Sequence, residues 1–205
     1  MQIQNITVFC GSSSGLDPVY MDQAYQLGAV LAARGIGLVY DGAKVGLMGA
    51  VASGVLEYKN TPKGRAVGVI PGFLKSVEIA HEQLTELIVV ETMHQRKAKM
   101  DELSDAIIAL PGGFGTLEEL FEMLTWGQLG LHKKPVGLLN TAGFYDELIA
   151  LTQKMVTKGF LKQQNQDMLL VDTSIEGLLE KMQAYQAPLV GKWLSAQQDQ
   201  LKNKM

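Results

Sequence analysis

The sequence contains a single cysteine, Cys10, among 205 residues. An internal disulfide therefore cannot form, and neither a CxxC motif nor paired His and Cys spacing points to a zinc site. The first residues, MQIQNITVFCGSSSG, lack the charged start, the apolar stretch and the cleavage site of a secretory signal peptide. These features predict a protein of the reducing cytoplasm that binds no metal.

Long apolar runs and a surplus of positive charge are also lacking. No run approaches the roughly 18 apolar residues that a membrane-spanning helix needs, so we expect no membrane partner. The 18 Lys and Arg residues are dispersed and 21 Asp and Glu outnumber them, giving a formal net charge of −3 and no basic field for nucleic acid. With 47% hydrophobic residues the chain can bury one sizeable core, and we predict one domain over residues 1–205.

Seven short, mostly β-branched apolar runs predict strands that are buried on both faces of a parallel sheet. These runs are residues 6–10, 37–40, 66–70, 87–90, 106–110, 135–139 and 168–171. Helical spacing predicts helices at 18–34, 46–58, 92–103, 116–129, 143–158 and 174–186, and a peripheral helix at about 188–205. The alternation predicts an α/β fold with a doubly wound, mostly parallel sheet of about seven strands and helices on both faces.

Ligands of doubly wound sheets bind at the carboxyl ends of the strands. Two junctions there, GSSSG at 11–15 and DGAKVGLMG at 41–49, are glycine-rich, but neither matches GxGxxG or GxxxxGK[ST]. Their glycines can bring backbone N–H groups close to a ligand, or they can simply allow tight turns.

The junction PGGFGT at 111–116 carries a stronger signal. It has three glycines within four positions, and Thr116 with Glu119 matches a capping box that would begin a helix. A glycine loop that leads into a helix N-terminus predicts an anion site, and we expect a phosphate. The alternative is that Thr116 and Glu119 only cap the helix.

The fourth junction, TMHQRK at 92–97, places two cations near a helix start. Thr92 and Gln95 match a capping box, so Arg96 and Lys97 would lie in about the second turn, where the helix dipole mildly disfavours cations. An anionic partner is the favoured explanation. Lys97 has an alternative partner in Asp101, and the alternative for Arg96 is a salt bridge with a carboxylate distant in sequence.

Together, MHQRK at 93–97, PGGFGTLEE at 111–119, GLMG at 46–49 and the N-terminal CGSSSG strongly resemble the Lonely Guy family of cytokinin-activating nucleotide hydrolases. Many members carry the older label lysine decarboxylase-like. The resemblance spans roughly residues 3 to 180. It implies a Rossmann-like fold, a homodimer without a cofactor, and hydrolysis of the N-glycosidic bond of AMP or N6-modified AMP, such as N6-isopentenyl-AMP, to free base and ribose 5-phosphate.

The same resemblance implies which residues form the site. The catalytic arginine and glutamate of the family fall on Arg96 and Glu119. Its substrate contacts fall on Glu78, Lys97, Gly112, Gly113, Phe114, Gly115, Thr116, Leu117, Glu118 and Thr125. Where many members read YGGG before GLMG, this chain reads YDGAKVGLMG, so that Asp41 and Ala43 replace glycines and an acid lies near the site.

The proposed chemistry also has a physical basis in these residues. Cleavage of a ribose C1′–N bond passes through an oxocarbenium-like cation, which needs nearby negative charge and a positioned water. Glu119 can supply the charge, while Arg96 and Lys97 can hold the phosphate or ribose hydroxyls. The acid that protonates the departing base stays open among Glu78, Asp41 and solvent.

Two other functions are consistent with part of the pattern. A nucleotide-binding carrier or sensor would use the same glycine loops without catalysis, but the presence of both Arg96 and Glu119 favours an enzyme. A pyridoxal phosphate decarboxylase would need a Schiff-base lysine, for which the candidate is Lys97, and no second feature supports that cofactor.

The predicted helix around LEELFEMLTWGQLGL, residues 117–131, has more apolar surface than one sheet face can cover. Its first stripe consists of Leu117, Leu120, Phe121, Leu124 and Leu131, and its second of Met123, Trp126 and Leu129. The second stripe predicts contact with another chain in a two-fold dimer, and the alternative is a deeply buried internal helix.

Overall fold

The computed structural model describes residues 2–57, 64–74, 81 and 83–188. Within them, seven strands form one sheet in the order β4-β3-β2-β1-β5-β6-β7, and every pairing is parallel. The strands are β1 Asn5–Phe9, β2 Gly37–Tyr40, β3 Ala66–Pro71, β4 Glu86–Val90, β5 Ala106–Ala109, β6 Val136–Leu139 and β7 Leu169–Asp172. The predicted parallel sheet is therefore confirmed, each strand within about one residue.

The helices also follow the prediction closely. They are α1 Pro18–Ala33, α2 Gly46–Leu56, α3 Met93–Leu103, α4 Phe114–Gln128, α5 Asp146–Thr157, α6 Gln163–Gln166 and α7 Ile175–Ala184. The short helix α6 was not predicted, and α4 begins two residues earlier than predicted. The predicted peripheral helix falls almost entirely on 189–205, outside the described residues, as does Glu78. In the described part of the chain, no helix is both long and apolar enough to cross a membrane.

The sheet is covered by helices on both faces, because successive strand residues point to opposite sides. Ile6 and Val8 of β1 belong to a core cluster that includes residues of α1, α2 and α7. Phe9 belongs to a second cluster, with Met100 of α3 and Leu120 of α4. Both clusters are buried, which explains why the strand sequences are continuously apolar rather than alternating.

The direction of the strand order reverses beside β1. From β1 the chain proceeds outward through β2, β3 and β4, and it then crosses back to place β5 on the other side of β1. At such a switch point the loops that follow the neighbouring strands diverge and leave a crevice at the carboxyl ends. The loops after β1, β2 and β5, which carry the three glycine motifs, therefore meet at one place.

Candidate active site

Backbone hydrogen bonds fix the three glycine loops against one another. The N–H of Gly11 donates to the carbonyl of Pro111 at 3.0 Å, and the N–H of Leu47 donates to the carbonyl of Gly11 at 3.1 Å. A Cβ on Gly112 would lie 2.1 Å from Thr116 Oγ1 and 2.9 Å from Gly11 N. Gly46 has a φ of +53°, and its Cβ would lie 2.4 Å from the backbone of Ser12. Gly112 and Gly46 are thus required by close packing.

Gly113 and Gly115 have no such structural requirement. A Cβ on either residue would meet nothing within 4 Å, and neither residue has a positive φ. Gly113 is the N-cap of α4 with φ −93° and ψ −154°, an extended conformation that other residues also adopt. These two glycines leave open space at the start of the helix, as an anion site needs.

The predicted capping box of Thr116 and Glu119 is wrong. No side chain caps α4 at Gly113, and Thr116 is already the third residue of the helix. The N–H of Leu117 donates to the carbonyl of Gly113 at 3.2 Å, so the N–H groups of residues 114–116 precede the intrahelical bonds. Glu119 lies inside the helix, where its side chain bonds Arg96 instead of the backbone.

The predicted cap at the start of α3 is confirmed. Thr92 is the N-cap, and its Oγ1 accepts from the N–H of Gln95 at 3.2 Å. Gln95 Oε1 in turn accepts from the N–H of Glu91 at 2.8 Å, one residue before the cap. The cap orients the first turns of α3 so that Arg96 and Lys97 both point into the protein and are 6% and 5% exposed.

Arg96 forms an ion pair with Glu119. Its Nη2 lies 2.7 Å from Glu119 Oε1, and its Nη1 lies 3.7 Å from Asp41 Oδ2. All three residues are buried. The Nε of Arg96 is also buried, and it has no hydrogen-bond partner among the described residues. The two predicted catalytic residues are thus in direct contact, and the distant carboxylates considered as the alternative for Arg96 belong to the site itself.

Lys97 faces a different set of acids. Its Nζ lies 2.5 Å from Glu118 Oε1 and 2.7 Å from Glu122 Oε2, both on α4. Asp101, the partner considered from the sequence, instead pairs with Lys134 at 2.6 Å, so that alternative is wrong. Burial lowers the pKa of Lys97, but the hydrogen bonds to Glu118 and Glu122 raise it, and the net pKa lies above its ordinary value. A lysine held protonated in this way is a poor Schiff-base nucleophile.

The electrostatics of the site favour protonated acids. Burial, followed by the charge of Asp41, raises the pKa of Glu119 from 4.5 to about 8, although Arg96 opposes the shift. Burial and then the charges of Asp41 and Glu119 raise the pKa of the Cys10 thiol. Cys10 is therefore a neutral side chain near neutral pH, and Glu119 titrates near neutral pH.

These residues surround a cavity of about 340 Å³, called here the first cavity. A second cavity of about 350 Å³ shares Gly11, Ser12 and Gly113 with it. Tyr20 and Phe144 line the second cavity and meet edge to face, with ring centroids 5.9 Å apart. The first cavity is lined by Cys10, Gly11, Ser12, Asp41, Met48, Leu74, Met93, Arg96, Gly113, Phe114, Gly115, Thr116 and Glu119.

The structure brings most, but not all, of the predicted site residues together. Arg96, Glu119 and the loop residues 113–116 line the first cavity, and Gly112 lines the second. Lys97, Leu117, Glu118 and Thr125 line neither cavity, and their substrate contacts stay predictions. Thr125 lies farther along α4, in a groove with residues of α5 and α6, and its Oγ1 donates to the carbonyl of Phe121.

Sequence reasoning did not single out several lining residues. Leu74, Tyr20 and Phe144 carry no sequence signal, whereas Met48 and Met93 belong to the motifs GLMG and MHQRK, within which neither methionine was singled out. Cys10 and Ser12 belong to the glycine motif CGSSSG, which was a usable signal for that wall.

The apolar stripes of α4 are arranged differently from the prediction. Met123, assigned to the second stripe, is 1% exposed and packs in the core together with Leu120. Leu120 and Met123 are three residues apart and so lie on the same side of α4, the side that packs on the sheet. Met123 therefore belongs to the buried side of the helix and not to a separate outward stripe. Leu129 and Leu131 at its end are 39% and 63% exposed.

Comparison with known proteins gives a consistent result. The family model described as "Possible lysine decarboxylase" matches residues 48–182. A probable cytokinin riboside 5'-monophosphate phosphoribohydrolase of Oryza sativa subsp. japonica, LOGL1, is 50% identical over 181 residues, which are 88% of this chain and 79% of that protein. The cytokinin riboside 5'-monophosphate phosphoribohydrolase LOG2 of Arabidopsis thaliana is 47% identical over 185 residues, with 90% and 84% covered.

Solved structures share the fold at lower identity. The molybdenum cofactor binding protein of Rippkaea orientalis is 25% identical with a TM-score of 0.66, covering 90% of this chain and 98% of that chain. The molybdenum cofactor carrier protein of Chlamydomonas reinhardtii is 20% identical with a TM-score of 0.67, covering 90% and 100%. At this identity, the second likeness shows the Rossmann-like fold alone.

Proposed function

The chain belongs to the Lonely Guy family, and from that premise we propose that it hydrolyses the N-glycosidic bond of nucleoside 5'-monophosphates to a free base and ribose 5-phosphate. The relatives named as cytokinin riboside 5'-monophosphate phosphoribohydrolases, at 50% and 47% identity over most of the chain, support this function. We propose AMP and N6-isopentenyl-AMP as substrates, because both carry the phosphoribose end that the glycine loop suits.

The observation that carries the proposal is the buried pair of Arg96 and Glu119 beside the open start of α4. The N–H groups of residues 114–116 and the positive end of the helix dipole can bind the 5'-phosphate. Glu119 follows Phe114 by five residues, which places it about 7.5 Å farther along the helix axis. The site therefore has an anion-binding end and, at about the length of a ribose phosphate, an acidic group.

This separation suits a reaction in which positive charge develops away from the phosphate. As the C1′–N bond breaks, the ribose ring gains oxocarbenium character, and the Glu119 carboxylate can stabilise it and orient the attacking water. Arg96 has a buried Nε without a hydrogen-bond partner in the described part of the chain, so it can bind a ligand oxygen there while its Nη2 holds Glu119. A carrier that only bound phosphate would gain nothing from a carboxylate at this position.

Lys97 supports the site through charge. Because it pairs with Glu118 and Glu122, it compensates two acids close to the phosphate-binding end of α4. The same pairs argue against decarboxylase chemistry, since a Schiff base needs a neutral amine. Lys97, the lysine that would have to form the Schiff base, thus gives no support to a lysine decarboxylase activity.

A cytoplasmic homodimer is part of the proposal. Leu129 and Leu131 are exposed at the end of α4, and Phe121 and Leu124 are only partly covered. An apolar surface of this kind is typical of a protein contact. Contact with a second chain would also cover the groove that contains Thr125.

The direct test is the release of free base. Purified protein is incubated with AMP and with N6-isopentenyl-AMP, and base and ribose 5-phosphate are quantified by chromatography. We expect equal amounts of the two products, and we expect Arg96→Ala to lose most of the turnover while it stays folded. Tight nucleotide binding without release of base would identify a carrier instead.

A further inference from the structure

A buried tyrosine holds the chain where it enters the glycine motif of residues 111–116, called here the PGGFGT loop. Leu110 is the residue between β5 and this loop, and it is buried. The hydroxyl of Tyr145 donates to the carbonyl of Leu110 at 2.6 Å. Tyr145 is also buried and belongs to the second core cluster. The mechanism proposed above gives this hydroxyl no role.

Every backbone polar group of Leu110 and Pro111 has a hydrogen-bond partner. The N–H of Leu110 donates to the carbonyl of Phe9 at 2.9 Å, and the carbonyl of Pro111 accepts from the N–H of Gly11 at 3.0 Å. Proline has no N–H, its ring fixes φ, and the residue before it is held extended. These restraints and the three hydrogen bonds set the direction in which the chain leaves β5. Of the three bonds, the one from Tyr145 is made by a side chain.

Tyr145 is itself fixed to the end of β6, the strand next to β5. Asn140 directly follows β6, and its Oδ1 accepts from the N–H of Tyr145 at 2.8 Å. The Nδ2 of Asn140 donates to Asp146 Oδ1 at 2.7 Å, which fixes the orientation of the amide. The rings of Tyr145 and Phe144 meet edge to face, with centroids 4.8 Å apart. The hydroxyl is therefore attached to the same sheet from which the PGGFGT loop emerges.

The rest of the PGGFGT loop depends on how the chain enters it. A Cβ on Gly113 or Gly115 would meet nothing within 4 Å among the described residues, and no side chain caps α4. Gly112, in contrast, lies so close to Thr116 that its Cβ would be 2.1 Å from Oγ1. A shift of the chain at Leu110 would therefore be passed on to the first turn of α4. Displacing a positioning group by about 1 Å can lower a rate by about 10².

Packing alone does not require a tyrosine at position 145. The ring lies among apolar side chains of the second core cluster, where phenylalanine would pack equally well. Burying a hydroxyl is unfavourable unless it is hydrogen-bonded, and the bond to the Leu110 carbonyl meets that need. Burial also raises the pKa of Tyr145. The hydroxyl therefore stays protonated and remains a donor at neutral pH.

On the basis of the glycosidase function proposed above, we propose that Tyr145 is a positioning residue for the 5'-phosphate of the substrate. Through the carbonyl of Leu110 it orients the PGGFGT loop, so that the N–H groups of residues 114–116 meet the phosphate and C1′ lies beside Glu119. Tyr145 itself contacts neither the substrate nor a reacting atom.

A positioning role and a purely structural role predict different results. A tyrosine that only stabilises the fold affects Tm and treats all ligands alike. A tyrosine that orients the PGGFGT loop affects ligands that carry the phosphate and leaves a nucleoside without phosphate almost unaffected.

The test compares Tyr145→Phe with Ser104→Ala as the matched control. The buried Ser104 hydroxyl also donates to a backbone carbonyl, that of Met100 at 2.8 Å, but Ser104 precedes β5 whereas the PGGFGT loop follows it. Both variants should have a lower Tm than the wild type. In Tyr145→Phe alone, kcat/KM for AMP should fall by roughly fivefold or more while that for adenosine changes by less than about twofold. An equal loss for AMP and adenosine would overturn the proposal.

A second readout does not depend on activity. Titration calorimetry with ribose 5-phosphate should give a Kd that is roughly fivefold or more higher in Tyr145→Phe than in the wild type, and unchanged in Ser104→Ala. If Tyr145→Phe does not fold, Asn140→Ala, which removes the acceptor for the N–H of Tyr145, should give the same rise.

Three results of this titration would overturn the proposal: an unchanged Kd in folded Tyr145→Phe, an equal rise in Ser104→Ala, or no binding of ribose 5-phosphate to the wild type. If the wild type binds ribose 5-phosphate but releases no base from AMP, that result counts against the glycosidase function alone. The titration then still decides whether Tyr145 orients the PGGFGT loop.

Discussion

Replacing Glu119 by glutamine separates a chemical role of this residue from a structural one. Glutamine has nearly the same shape and can still accept the 2.7 Å hydrogen bond from Arg96 Nη2. It cannot carry a negative charge or release a proton. If Glu119 stabilises the ribosyl cation or orients water, kcat should fall by roughly 10² or more, which corresponds to about 2.7 kcal/mol of lost transition-state stabilisation.

The effect of Glu119→Gln on stability should be small. The amide keeps the shape of the side chain and its hydrogen bond to Arg96, and burial together with the charge of Asp41 already disfavours the ionised form of Glu119 by raising its pKa. We expect a loss below about 1 kcal/mol, or a decrease of roughly 2–4 °C in Tm for a chain of this size.

The assay measures kcat from the release of adenine from AMP, and circular dichroism follows thermal unfolding. Glu102→Gln is the control, because Glu102 is an exposed acid on α3 that pairs only with Lys99 among the described residues. A folded Glu119→Gln protein with wild-type kcat would refute the reasoning. A large loss of stability with kcat preserved would identify Glu119 as a structural partner of Arg96.

Four further outcomes can be measured. Gly115→Ala should leave the free energy of unfolding unchanged or raise it by up to about 1 kcal/mol, while KM for AMP rises by roughly tenfold or more because the new methyl group occupies the phosphate space. Gly112→Ala should instead destabilise the protein by about 1–3 kcal/mol, since its Cβ would lie 2.1 Å from Thr116 Oγ1. The folded state raises the pKa of Glu119 from 4.5 to about 8. The contribution of the protonated Glu119 side chain to the free energy of unfolding is therefore fully present below pH 4.5, and it is lost as pH rises through 8. In urea unfolding, the free energy of unfolding of the wild type should therefore fall by up to about 1.4 kcal/mol per pH unit relative to that of Glu119→Gln between pH 4.5 and 8. If the two proteins gave parallel curves of unfolding free energy against pH, that result would contradict the raised pKa of Glu119. Light scattering at micromolar concentration should give the mass of a dimer. A monomeric mass would contradict the proposed contact between chains at Leu129 and Leu131.

Sequence patterns were sufficient for the fold because the relevant physics is local or periodic. Continuous apolar runs identified the buried parallel strands, and Thr92 with Gln95 located the start of α3. The convergence of the three glycine loops followed from the rule that parallel strands end at one edge of the sheet.

The start of α4 was misplaced because two signals competed. Thr116 and Glu119 match a capping box, but the extended backbone of Gly113 already begins the helix. A side-chain pattern cannot reveal which of several possible caps the backbone adopts, especially where glycine needs no side chain to cap.

The central contacts of the site depend on tertiary packing and were therefore not predictable. Arg96 meets Glu119 and Asp41 across three separate elements, and no periodicity joins them. The partner considered for Lys97 was Asp101, which is close in sequence. Its actual partners, Glu118 and Glu122, lie on α4, distant in sequence but adjacent in the fold. Burial of Met123 similarly depends on how α4 is rotated against the sheet.

The most direct test of the central claim compares kcat/KM for AMP and adenosine under identical conditions, with free adenine as the readout. If residues 113–116 bind the 5'-phosphate and so position C1′ beside Glu119, adenosine should react far more slowly than AMP, because the binding energy of the phosphate is unavailable in the transition state. Equal values for the two substrates would contradict the account.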